Sequence, residues 1–285
     1  MRLTARAPAK VNLCLYLGPV RPDGRHELVT VFESVSLADS VELTVAPADQ
    51  VVCPGVDGVN IVTRTLDGLR ARGWNAPPVR VVIEKRIPVA GGMGGGSADA
   101  AAVLRAARCL APVSAEDLAE LAASLGADVP SQLRPGLTLG TGAGDEVSRL
   151  DPMAPHSFVI VPQAFGLSTA DVYREADRLG LPRVQSDLAA RVGEVRAGVD
   201  PGYVNDLEPA ALSLRPEIGV ALDAVRDTGA DRAMVSGSGP TVFGVYLGED
   251  APARAGSAAE RLLDRYPGAT SAAPVSEEFG GPRGS

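Results

Sequence analysis

Cysteine, histidine and aromatic residues are all scarce in this 285-residue chain: three Cys, two His, and 4% Phe, Trp and Tyr together. Cys14, Cys53 and Cys109 are odd in number and far apart, with no CxxC pair, which argues against zinc or dithiol redox chemistry. They are expected to be reduced core thiols, and no side chain is assigned to a metal. No apolar run approaches the roughly 18 residues that span a bilayer. The apolar stretch after Lys10 is too short for a signal segment and lacks a small-residue cleavage site, so the cytoplasm is the expected location. Positive charge is also in deficit. A net charge of -8 and a pI near 4.9 leave no diffuse basic field for a nucleic-acid backbone or an anionic membrane. Any phosphate site must be built locally.

What is present is an ordinary globular balance, 45% hydrophobic and 22% charged, over a length that suits two closely packed domains. Strand-like runs occupy residues 3–17 and two stretches between 27 and 45, with the turn-forming Pro22, Asp23 and Gly24 between them. The pattern then predicts a helix over 60–72, a strand over 79–85 and an alanine-rich helix over 97–110. A further helix opens at Ser114 and is capped by Gly126. The proline-bounded DPMAP at 151–155 marks a boundary, giving domains 1–152 and 153–285. Beyond it the order is strand, helices over 169–179, 205–213 and 215–228, a strand pair within 233–247, a helix over 251–266 and a last strand. The tail SEEFGGPRGS is expected to fray.

Four segments could carry chemistry. IPVAGGMGGGSADAAAVLRAA places five glycines in the six positions 91–96, directly before Ser97 and a strong helix. Without Cβ atoms the backbone can approach a ligand, and the free N–H groups and dipole of the helix start make an anion site that needs no net positive charge. The spacing is neither a Walker A loop nor GxGxxG. A flexible connector with Ser97 as a plain N-cap is the competing reading. Asp99 either supports the helix dipole or reaches magnesium through water. In ARAPAKVNLCLYLG, Lys10 lies inside an apolar strand with Asn12 on the same face. Lys10 either meets a negative partner or snorkels from a strand edge. In SLGADVPSQLRPG, Asp128 is a catalytic carboxylate or an ordinary N-cap before Pro130. AMVSGSGPTVFGV is a turn between two strands or a second anion nest.

In this order PAKVNL, IPxxGGxGGGSADAA and SGSGPT resemble the three motifs of the galactokinase, homoserine kinase, mevalonate kinase and phosphomevalonate kinase superfamily. Within it, DGRHEL followed by TVFESVSLAD, and GADVP after the central helix, are similar to the branch that phosphorylates 4-diphosphocytidyl-2-C-methyl-D-erythritol. The resemblance implies an α+β kinase fold of two domains. The N-terminal one is a ribosomal-protein-like α/β domain with a left-handed crossover, the C-terminal one is ferredoxin-like, and the cleft lies between them. It implies that ATP, with magnesium held mainly through its phosphates, phosphorylates the 2-hydroxyl of that substrate in the non-mevalonate isoprenoid route. Its partners are small molecules, with no nucleic acid and no membrane.

By matching position, Lys10 and Asp128 are the implied catalytic pair. Pro88, Val89, Ala90, Gly91, Gly92, Met93, Gly94, Gly95, Gly96, Ser97 and Ala98 form the implied ATP-phosphate loop, and Asn60 and Lys85 border the adenine. Asn12 and His26 are implied to hold substrate, and Tyr173 matches an aromatic beside the cytosine. Two positions depart from the pattern. Arg25 replaces the usual tyrosine that stacks on the base, although a guanidinium plane can also stack. Ser131 is more polar than the usual residue after GADVP.

Overall fold

A computed structural model of the chain describes residues 2–56, 58, 60–198 and 202–284. The first half runs β1 (Arg2–Val20), β2 (His26–Val45), β3 (Gln50–Val52), α1 (Ile61–Ala71), β4 (Val79–Glu84), α2 (Gly95–Leu110), α3 (Ala115–Leu125), the four-residue α4 (Val129–Gln132), β5 (Leu137–Thr141) and β6 (Glu146–Arg149). The second runs β7 (His156–Val161), α5 (Thr169–Leu179), α6 (Gln185–Arg196), α7 (Glu208–Leu214), α8 (Glu217–Arg226), β8 (Arg232–Val235), β9 (Val242–Leu247), α9 (Ala251–Leu262), β10 (Thr270–Ala272), a 3-10 turn at Glu277–Gly280 and β11 (Arg283–Gly284).

The turn between β1 and β2 uses the chemistry its residues supply. Gly24 takes φ +81°, and Asp23 Oδ1 accepts the Arg25 N–H at 3.0 Å. The two runs expected between residues 27 and 45 are one continuous strand. Its start pairs with β5 through residues 30–33 and its end pairs with β4 through residues 40–45, so the first sheet forks along β2. β3 lies parallel to β4 across α1. The alanines of α2 let the helix sit close against this sheet: Ala100, Ala101, Ala102, Ala106 and Ala107 are all fully buried.

The second sheet has the order β10-β7-β9-β8 with every pair antiparallel. In chain order that is fourth, first, third, second, with helices after the first and third strands, which is the ferredoxin-like arrangement. Phe158, Ile160, Phe243 and Val245 from this sheet share a core with β1 and β2. The two halves are therefore packed together rather than tethered.

Several expectations need correction. The tail is not frayed. Val275 N–H donates to Ser34 O at 2.9 Å, Phe279 lies under Arg6, and β11 pairs with β1, so the segment assigned to the second domain ends in the first sheet. α6 has no counterpart in the expected order. α2 begins two residues before Ser97, at Gly95. Of the cysteines only Cys14 is buried, while Cys109 is exposed. Among the described residues no helix is long and apolar enough to cross a membrane.

Candidate active site

Residues 88–97 form one wall of a cleft of about 550 Å3 that is lined from both halves of the chain. Three residues in the left-handed region shape this wall, Ala90 (φ +53°), Gly92 (φ +76°) and Gly94 (φ +66°). A Cβ on Gly92 would stand 2.3 Å from the Ser236 carbonyl oxygen, so glycine is required there. Ser236 Oγ donates to Gly92 O at 3.1 Å, and Thr241 N–H donates to Gly91 O at 3.3 Å. The late SGSGPT motif is thus the brace behind the glycine loop. At the start of α2 the N-cap is Gly94, which has no side chain to cap with, and the first helical bond runs from Ala98 N–H to Gly94 O. The N–H groups of Gly95, Gly96 and Ser97 therefore have no helical partner and can serve an anion.

Lys10 faces this loop. It is only 4% exposed, which excludes the snorkelling alternative. Its Nζ donates to Asn12 Oδ1 at 2.7 Å and to Gly92 O at 3.2 Å, and stands 3.5 Å from Asp128 Oδ2. Asn12 is fixed in turn, because its Nδ2 donates to Thr30 Oγ1 at 2.8 Å and Thr30 donates to Cys14 O at 2.7 Å. Asp128 occupies the N-cap position of α4, yet its carboxylate makes no capping hydrogen bond. The ordinary cap reading fails, and the carboxylate, 32% exposed, is open to the cleft. The polar Ser131 donates to Asp128 O at 2.9 Å and so fixes the backbone that carries it.

Lys85 and Asn60 also line the cleft. Asn60 Oδ1 caps α1 by accepting Val62 N–H at 2.9 Å. Lys85 Nζ is held between Asp39 Oδ2 at 2.5 Å and Asp99 Oδ2 at 2.7 Å. Asp39, wholly buried, uses its other oxygen to accept the N–H groups of Arg86 and Ile87. Burial is the largest influence on Asp99 and pushes it up to about 7, with Lys85 pulling the other way and Asp39 adding to the rise. Asp99 Oδ1 is buried without a hydrogen-bond partner among the described residues. Asp39 and Thr30 escape sequence reasoning because their partners lie far away in the chain. β2 carries many other polar residues, so neither stands out in the sequence.

At the other end of the cleft, Tyr173 on α5 is a lining residue. Burial, and after it the Asp128 carboxylate, raises its phenol. His26 is buried with its ring 5.2 Å from that of Tyr173 and its Nε2 2.9 Å from Asp177 Oδ1. Arg25 is not brought to the cleft wall. Its guanidinium is bound by Asp23 at 3.0 Å and Asp145 at 2.8 Å.

The GHMP kinases N terminal domain matches residues 60–148 and the GHMP kinases C terminal domain matches 188–265. A 4-diphosphocytidyl-2-C-methyl-D-erythritol kinase of Streptomyces coelicolor is 45% identical over 269 residues, covering 88% of this chain and 89% of its own. The chain belongs to this kinase family. The kinase of the same name from Mycolicibacterium gilvum is 45% identical over 260 residues, with 84% and 80% covered. A crystal structure of 4-(cytidine 5'-diphospho)-2C-methyl-D-erythritol kinase superposes with a TM-score of 0.75 at 35% identity, covering 96% of this chain and 99% of that one. A homoserine kinase from Cytophaga hutchinsonii, at 20% identity and a TM-score of 0.70, shares the fold. The α+β, two-domain GHMP kinase architecture and the nucleotide-binding character of the chain follow from this membership.

Proposed function

We propose that the chain transfers the terminal phosphate of ATP to the 2-hydroxyl of 4-diphosphocytidyl-2-C-methyl-D-erythritol, giving the 2-phosphate and ADP. One observation carries the reading: the Lys10–Asp128 pair, 3.5 Å apart, stands beside the loop that opens the uncapped start of α2. The substrate oxygen attacks the γ-phosphorus as the bond to the ADP oxygen breaks, and Asp128 takes the hydroxyl proton. Lys10 steadies the charge that builds up, while the amides of 95–97 hold the phosphates, so the rate comes from positioning and electrostatics without a phosphoenzyme. Magnesium bound to ATP would neutralise phosphate charge, and Ser97 Oγ and the unpartnered Asp99 Oδ1 are the groups of α2 suited to hold it.

In this reading residues 1–152 are the nucleotide domain, with Asn60 and the stem of Lys85 beside the adenine, and 153–285 supply Tyr173 to the cytosine. Asn12, and His26 through its contact with Tyr173, orient the substrate. The need for ATP supports a cytoplasmic location. An ADP-release assay compares the cytidyl substrate with mevalonate and homoserine at equal concentration. Turnover with the cytidyl substrate alone is expected, and equal or faster turnover of either competitor contradicts the assignment.

A further inference from the structure

Arg105 lies nearly three turns into α2, and its side chain is half-buried. An arginine drawn into the protein in this way is ordinarily paired with a carboxylate. This one is shared among three backbone carbonyls from three separate segments. It donates from Nη2 to Arg6 O at 2.8 Å, from Nη1 to Gln132 O, and from Nε to Gly280 O at 3.1 Å. Arg6 is on β1, four residues before Lys10. Gln132 closes α4, which begins just after Asp128. Arg105 itself is on the helix whose start is the glycine loop. One side chain therefore joins the three elements that carry the lysine, the carboxylate and the phosphate cradle.

The third carbonyl belongs to the C-terminal segment, which is fastened at several other points. Glu277 pairs with Arg134 at 2.9 Å, the Phe279 ring lies 4.7 Å from the Arg6 guanidinium, and β11 pairs with β1. Gly280 is closely packed on this side chain, since a Cβ there would be 3.0 Å from Arg105 Nη2 and 3.0 Å from Pro135 Cγ and would press on the guanidinium. Burial lowers the Arg105 guanidinium to about 10, opposed by Glu277, so it stays charged at neutral pH. α4 has a single turn and no side-chain cap at Asp128 to hold it. Val129, fully buried in the core, anchors its start, and Arg105 grips its far end.

We propose that Arg105, backed by the C-terminal segment 277–284, is a positioning residue for phosphoryl transfer that sets Asp128 against Lys10. The proposal rests on the reading that this pair is the transfer site. A misplacement of about 1 Å at a reacting group can cost on the order of 100-fold in rate. Arg105→Met is therefore expected to lower kcat at least tenfold while the directly measured ATP Kd stays within about threefold, because the amides of 95–97 are untouched.

The test is a double-mutant cycle of Arg105→Met with Asp128→Asn, with ATP Kd measured on each variant. If Arg105 acts through Asp128, the double variant is no slower than Asp128→Asn alone. Additive losses, a parallel loss of ATP affinity, or a folded Arg105→Met with kcat within twofold of the parent would each overturn the proposal. Should Arg105→Met not fold, Gly280→Ala decides. Reduced kcat at unchanged ATP Kd supports the strap, and unchanged kcat removes it. Failure of the underlying reading shows separately, as full activity in Asp128→Asn alone.

Discussion

His156 Nε2 lies 3.4 Å from Glu33 Oε2, and both side chains are almost completely buried where the start of β7 meets β2. His156 Nδ1 is 2.8 Å from Ala154 O, a carbonyl that can only accept, so the proton sits on Nδ1. A neutral ring would then present its Nε2 lone pair to a carboxylate. The favourable state is the imidazolium. Burial opposes that charge, but Glu33 and the Ala154 carbonyl outweigh it, and His156 is displaced upward from its ordinary value.

The sign of the pH effect follows from that direction. A group whose folded pKa lies above its unfolded value contributes fully below the unfolded value, near 6.5, and its contribution is lost as pH rises through the folded value. His156→Gln should therefore destabilise most at pH 6, by up to about 3 kcal/mol, since removing one partner of a buried pair leaves the other uncompensated. The gap in Tm between parent and variant should narrow toward pH 9. A gap that stays constant from pH 6 to pH 9 would mean the charged ring contributes nothing.

Two glycines of the phosphate loop should respond in opposite ways. Gly92 combines φ +76° with a Cβ position 2.3 Å from the Ser236 carbonyl, so Gly92→Ala should cost about 1–3 kcal/mol in strain alone and lower Tm. Gly96 lies in α2 with its nearest neighbour, Ile61 Cγ2, at 3.5 Å. Gly96→Ala should keep or raise Tm, because alanine is favoured over glycine within a helix by about 0.5–1 kcal/mol. It should nevertheless weaken ATP about tenfold if a phosphate must approach that amide. Calorimetry with and without ATP reads both effects.

The base end of the cleft separates Tyr173 from Arg25. Stacking of one base on an aromatic ring is worth about 1–3 kcal/mol, so Tyr173→Ala should raise KM for the cytidyl substrate about tenfold. Arg25, held by Asp23 and Asp145 outside the cleft wall, should matter little, and Arg25→Tyr is expected to shift that KM less than about threefold. Steady-state kinetics on the two variants checks this. A larger effect at Arg25 would show that its ion pairs open to admit the base.

Local signals made some parts of the molecule legible in the sequence. Ser114 caps α3 through Asp117 N–H, Gly126 ends that helix, and α5 has the bounds that its flanking Ser168 and Gly180 announce. The glycine run and the lysine in an apolar strand are equally local. α6 is obscure because it buries only Leu188 and Val195, too thin a stripe to stand out in a periodic pattern. The tail reads as loose because its fastenings, Arg6, Ser34 and Arg105, lie well over a hundred residues away. A shorter separation, 46 to 48 residues, hides Asp39, whose role depends on Lys85 and the amides of 86 and 87. The ion pairs of Arg25 with Asp23 and Asp145 are not legible in the sequence, because Asp145 lies 120 residues away in the chain.

Asp128→Asn tests the account most directly. The variant should be prepared alongside the parent and assayed for ATP Kd by titration and for phosphoryl transfer in single turnover with the cytidyl substrate. The expected result is an ATP Kd within about threefold of the parent and a transfer rate lower by about 10²–10⁴-fold, the range that a positioned general base supplies. A transfer rate within tenfold of the parent would contradict the assignment of Asp128 as the group that takes the hydroxyl proton.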